Sequence, residues 1–242
     1  MPTLLEETRQ ARTGLDKVRQ ATQLRHQLKA IQSRAAEWSE RKQKRLNLLT
    51  KSGYLSLPQA ASADMEAADD AARALCEEAC ERLSDANIES LSENELWRRL
   101  LQQADNANTL RAEAIRVTWR ALIQDLGTPD SAATVTAREP ETPHNAKALT
   151  RYRELYSEYA ALARADMPPN AQSPETLRKC VQQLREIVAT LTPTPDAVKL
   201  FLKAVGSSGA ALELLTEEVL NWLKQYDDAA RFVIRTRDRT WP

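Results

Sequence analysis

The sequence predicts a mostly α-helical protein: an N-terminal antiparallel coiled coil or helical bundle, then a smaller C-terminal helical module carrying a short two-stranded β element. Three observations predict it. The 242 residues include only five Gly and two Phe against abundant Ala, Leu, Gln, Glu and Arg, a helix-forming composition. Apolar residues recur at three- and four-residue spacing through most of the chain. Between two such regions lies a polar segment, 127–145, with three prolines. The chain is long enough to bury a substantial core in one elongated domain or two small ones.

From about Thr3 to Lys51 there is no proline, and Gly14 is the sole glycine. Leu4, Ala11, Leu15 and Val18 form one helical series, and Leu28, Ile31, Ala35, Trp38 and Leu49 form another. An unbroken helix over this span would reach ~70 Å. The two series change heptad phase between Ala21 and Arg25, and Lys42 and Arg45 occupy later seam positions. A continuous zipper keeps its phase, so the segment reads as an antiparallel coiled-coil arm or a bundle helix. SGYLSLP, 52–58, ends it through Gly53 and Pro58. The alanine-rich stretch that follows predicts a second helix with a closely approachable face. Ser92 and Glu95 have the spacing of a capping box and open a third helix, about 50 Å long. Its apolar series is Leu96, Leu100, Ala107, Leu110, Ala114 and Val117.

The expected organisation is a helical half over 1–126, a Pro-rich linker over 127–145, and a C-terminal module over 146–242. Within that module, Lys147 to Ala165 reads as a helix with Tyr152, Tyr156 and Tyr159 on one stripe. Ser173 with Pro174, and Thr194 with Pro195, read as caps with first-turn prolines. Thr216 followed by Glu217 and Glu218 starts the last helix, and Asp227 and Asp228 argue that it stops there. The β-branched and aromatic FVIRT then reads as a strand paired with Leu212 to Leu215. It would set Phe232 and Ile234 inward against Trp222 and Phe201, and Arg231, Arg235, Arg237 and Arg239 outward. This order of helices and strands resembles the end of a winged-helix domain, over about the last fifty residues and without a diagnostic motif.

Little in the sequence carries chemistry. His26 sits among basic residues of the first helix and His144 in the linker, neither near a Cys or acid at triad or ligand spacing. Cys76 and Cys80 share a helix face without a second ligand pair, which reads as small packed residues. The glycines form no phosphate loop. No catalytic residue, metal site or cofactor is assigned, and the chain reads as not an enzyme. The N-terminus lacks the apolar core of a signal peptide, and no apolar run approaches a membrane span. Three cysteines without framework spacing point to a reduced, cytoplasmic setting.

Charge is more informative. Formal net charge is zero, from 34 basic and 34 acidic residues. Yet residues 1–51 carry twelve Lys or Arg against five acids, and residues 52–95 carry two Arg against eleven acids. Pairing of the first two helices within the molecule accounts for this, with charge setting register. The competing reading gives the cluster Arg41, Lys42, Lys44 and Arg45 a phosphate contact. The expected function is a non-catalytic interaction or assembly subunit of a larger complex, with protein partners and room for a homo-oligomer. Its binding residues would be the basic cluster and the four C-terminal arginines. The alternative is a nucleic-acid-binding accessory protein using the same residues, and neither reading involves a membrane.

Overall fold

The computed structural model describes residues 4–84, 94–207, 209–227 and 232–233. Among them the regular structure is helical. The chain divides into two compact units, Met1–Ala121 and Leu122–Pro242.

The first unit opens with α1 (Leu4–Ser52), a single helix of 49 residues. Hydroxyls along it are satisfied locally: Thr13, Thr22 and Thr50 each donate to the carbonyl four residues back. Gly53 and Tyr54 close its end through bonds to the carbonyls of Leu49 and Lys51. A short loop leads to α2 (Gln59–Ser84), whose inner face is Met65, Ala68 and Ala72, all buried. Alanine at two of these positions lets neighbouring backbones approach closely. In α3 (Asn94–Leu126) the buried face runs through Leu96, Leu100, Ala104, Ala107, Arg111, Ile115 and Trp119. Leu110 and Val117, expected on this face, point to solvent instead. They lie beside the true stripe, and the small Ala104 and the charged Arg111 disguise it. Ser92, half of the expected capping box, lies outside the described residues, and Glu95 pairs with Arg98.

In the second unit, α3 ends at Gly127, whose φ of 74° is a left-handed conformation that suits glycine. The segment 127–145, expected as a Pro-rich linker, carries a short helix. Ser131 caps a short helix, α4 (Ala132–Arg138), by accepting from the Thr134 amide at 3.0 Å, and Val135 is wholly buried. Glu139 accepts from the Thr194 amide at 2.9 Å. Thr142 then caps α5 (Pro143–Arg164), with Pro143 in its first turn. The prolines therefore begin and separate short helices, and the polar residues cap them.

Helix α5 packs along α6 (Ser173–Thr190). Leu149, Tyr152, Leu155 and Tyr159 are buried on one helix, and Leu177, Cys180, Val181 and Leu184 on the other. Asn145 fastens the start of α5 to the chain beyond α6, bonding both the carbonyl and the amide of Thr192. Ser173 lies inside α6 rather than at its cap, and its hydroxyl bonds Asn170. Thr194 likewise caps nothing: among the described residues its buried hydroxyl has no hydrogen-bond partner.

A second core joins α7 (Asp196–Ser207) to α8 (Glu217–Tyr226) through Val198, Phe201, Val219, Trp222 and Leu223. Thr216 caps α8, accepting from the Val219 amide, and the helix ends before Asp227. The expected two-stranded β element is absent among the described residues. Leu212–Leu214 forms a single 3-10 turn. Between the glycine bend and the Thr216 cap only a few residues remain, and Leu and Glu lack the β-branching that favours an extended ladder. Leu214 and Leu215 instead turn onto the Phe201–Trp222 core. Phe232 does pack inward, its ring centroid 5.6 Å from that of Phe201, while Val233 is exposed. The first of the two strands expected from the winged-helix likeness is therefore a 3-10 turn, and most of the second, 234–236, lies outside the described residues.

Candidate interaction surface

The basic cluster of α1 arises from heptad spacing. Between positions 27 and 48, the partly or wholly buried face includes Gln27, Ile31, Arg34, Trp38, Arg41, Arg45 and Leu48, alternating four- and three-residue steps. Three arginines thus stand where a zipper would place leucines, and acids on the other two helices meet Arg41 and Arg45. Arg41 Nε donates to Asp105 Oδ2 of α3 at 3.0 Å. Arg45 lies 3.0 Å from Asp69 Oδ2 of α2, and Arg111 of α3 reaches the same oxygen at 2.7 Å. The Arg111 side chain is 6% exposed and that of Asp69 14%, so this Arg–Asp–Arg node sits well inside the unit. Among the described residues Asp69 Oδ1 and Arg111 Nη1 have no hydrogen-bond partner. Asn108, also buried, donates to the Arg41 carbonyl at 3.2 Å.

Of the expected phosphate-binding cluster, Arg41 and Arg45 are therefore part-buried and paired with acids, whereas Lys42 and Lys44 are exposed. The expected C-terminal arginines, Arg231, Arg235, Arg237 and Arg239, lie outside the described residues, as does Ile234. The basic cluster and the acids of the second helix do meet within the molecule, through Arg45 and Asp69.

Beside the node a groove of ≈ 370 Å³ opens. Trp38, Lys42, Leu46 and Leu49 of α1 line it, facing Ala104, Ala107 and Asn108 of α3. Its floor is apolar and its α1 edge cationic. Farther toward the N-terminus the described side chains of the helix are uncovered. Every described side chain from 6 to 26 is exposed, including Leu15 at 55%, Val18 at 66% and Leu24 at 46%, and Leu28 follows at 49%. Leu15 and Val18 continue the first apolar series, and Leu24 and Leu28 lead the second. Nine residues separate Leu15 from Leu24, which turns the two series to about opposite sides of the helix.

Other candidates resolve into packing. Tyr152 and Tyr159 are buried in the second unit, so their rings are not presented for stacking on bases. The Tyr152 hydroxyl donates to the Asp130 carbonyl at 2.7 Å, and burial pushes its pKa up to about 12, with the Asp130 charge adding to the effect. Burial likewise raises the Cys76 thiol, helped by Cys80 nearby. The Cys180 thiol is raised by burial and by Glu158. His144 makes an edge contact with Tyr226, with ring centroids 5.8 Å apart. Among the described residues no group of three or more His, Cys, Asp or Glu could hold a metal ion, and no helix is long and apolar enough to cross a membrane.

No protein-family model, curated protein or solved structure matches the chain. Sequence reasoning missed Asp69, Asp105, Asn108 and Arg111 as the partners that organise the surface. A signal for Arg111 existed, because it falls four residues from both Ala107 and Ile115 on the buried face of α3.

Proposed function

We propose that the chain is a non-catalytic interaction and assembly subunit of a larger cytoplasmic complex. The observation that carries this reading is the uncovered N-terminal half of α1. A helix without tertiary packing rests on marginal local energetics, because most helical stability in proteins comes from burying an apolar face. This arm nevertheless keeps Leu15, Val18, Leu24 and Leu28 in water. Covering each would return roughly 1 kcal/mol at the usual value per unit of apolar area. The pairing of Arg41 and Arg45 with internal acids supports the protein reading over the nucleic-acid one, because it leaves Lys42 and Lys44 as the exposed basics of that cluster.

Affinity purification from the native host, followed by mass spectrometry, tests the proposal. Proteins that co-purify with the wild type should be lost with the double variant Leu15→Lys, Val18→Lys. An unchanged set would remove the arm from assembly. Titration with unrelated DNA and RNA covers the alternative. Sequence-independent binding that weakens steeply with salt, with no co-purifying protein, would replace the assembly reading with nucleic-acid binding.

A further inference from the structure

We infer that the second apolar stripe of α1 is a docking seam for an acidic amphipathic helix of a different protein. The inference rests on the assembly reading above and assigns its partner's chemistry. Leu24, Leu28, Trp38, Lys42, Leu46 and Leu49 fall within about 80° of the helix circumference at 3.6 residues per turn. The four leucines are exposed, and the last four of the six residues line the groove against α3. The stripe spans about 38 Å, the length of three to four heptads, and a straight apolar stripe of that length matches another helix.

Charge selects the occupant. Lys42 stands in the middle of the stripe, exposed and without an ion pair among the described residues. Arg25 flanks the stripe, while Glu37 and Glu40 lie on the opposite side of α1. A lone lysine in an apolar seam favours a partner with a carboxylate at that level and penalises one without it. Neither α1 nor α2 of a second copy supplies one. Aligned in parallel, two copies of α1 would bring Lys42 against Lys42. Aligned antiparallel over the same stripe, they would set Lys42 against the apolar Ile31. The acidic α2 of a second copy is no better, since its described exposed positions carry no aliphatic side chain larger than alanine.

The test is calorimetric titration of the full-length protein with two synthetic four-heptad peptides. Both carry Leu at the a and d positions, and one carries Glu and the other Lys at e and g. Like charges at e and g keep each peptide from pairing with itself. The Glu peptide should bind at least about tenfold more tightly than the Lys peptide. Lys42→Glu should reverse that order. Leu28→Gln combined with Leu46→Gln should weaken the Glu peptide by about tenfold or more, with an unchanged circular dichroism melt showing that these surface changes leave the fold intact. Absent binding of the Glu peptide, or equal binding of the two, would overturn the inference. So would a wild-type dimer in sedimentation that the leucine substitutions dissociate, because a second copy would then be the occupant. A native complex that survives Leu28→Gln and Leu46→Gln but is lost with Leu15→Lys and Val18→Lys would refute the seam and leave the assembly reading in place.

Discussion

Asp69 holds two guanidinium groups with one carboxylate oxygen, inside a unit whose inner helix faces are otherwise largely alanine and leucine. Taking charges out of water is costly, and removing one member of a buried set leaves the others uncompensated. Asp69→Ala should therefore destabilise the first unit by about 3 kcal/mol, near the low end for buried pairs because Arg45 keeps some contact with water. Combining Asp69→Leu with Arg111→Met should recover most of that loss, since apolar replacements of similar volume remove the two most buried charges and leave only Arg45, which already reaches water. Urea unfolding of the single and double variants measures the difference. A loss below about 0.5 kcal/mol for Asp69→Ala would place the node's charges in effective contact with solvent. At this scale the sequence was half legible. The register of Arg111 could be read from its spacing to Ala107 and Ile115. Its partner could not, because eleven acids lie between residues 52 and 95 and only the rotation of α2 decides which one faces inward.

Among the elements, α1 and α8 were readable because each has an unambiguous stop: Gly53 with Pro58 for one, and Thr216 before with Asp227 after for the other. Helix α4 was not. A seven-residue helix with a single buried side chain, Val135, carries too little periodicity to stand out from a proline-rich context. What fixes it is long-range, notably the Tyr152 hydroxyl on the Asp130 carbonyl just before the cap. That contact gives the second unit an alkaline limit. The Tyr152 pKa rises from an ordinary value near 10 to about 12 in the fold, so the folded state favours the neutral phenol. The corresponding stabilisation is complete below about pH 10 and is lost as pH climbs toward 12. Tyr152→Phe should cost about 1 kcal/mol at pH 8, the usual worth of one hydrogen bond, and should flatten the decline between pH 10 and 12. Urea titrations at pH 8 and pH 11 compare the two proteins. An equally steep alkaline decline in the Phe variant would assign it to other groups.

At the level of the whole molecule, the prolines of 127–145 suggested the exposed place in the chain, yet the uncovered backbone is at the other end. Arg138, the one trypsin site in that segment, ends α4 and pairs with Asp130 at 3.0 Å. Arg9, Arg12, Lys17, Arg19 and Arg25 lie on the N-terminal stretch of α1, whose described side chains from 6 to 26 are all exposed, and such a stretch opens readily. Limited trypsinolysis should cut between Arg9 and Arg25 well before it cuts at Arg138. Early cleavage at Arg138 would restore the segment to a linker.

Under the assembly reading, the change of phase between Val18 and Leu24 would set the valency of this arm. One straight helix can follow either stripe, but following both would require it to cross from one side of α1 to the other. On that reading the arm would offer two separately addressed contacts on a single rod, their spacing fixed by helical rise rather than by a loop. If two chains occupied them, the rod would act as a ruler, holding its guests about nine residues out of step and facing away from each other.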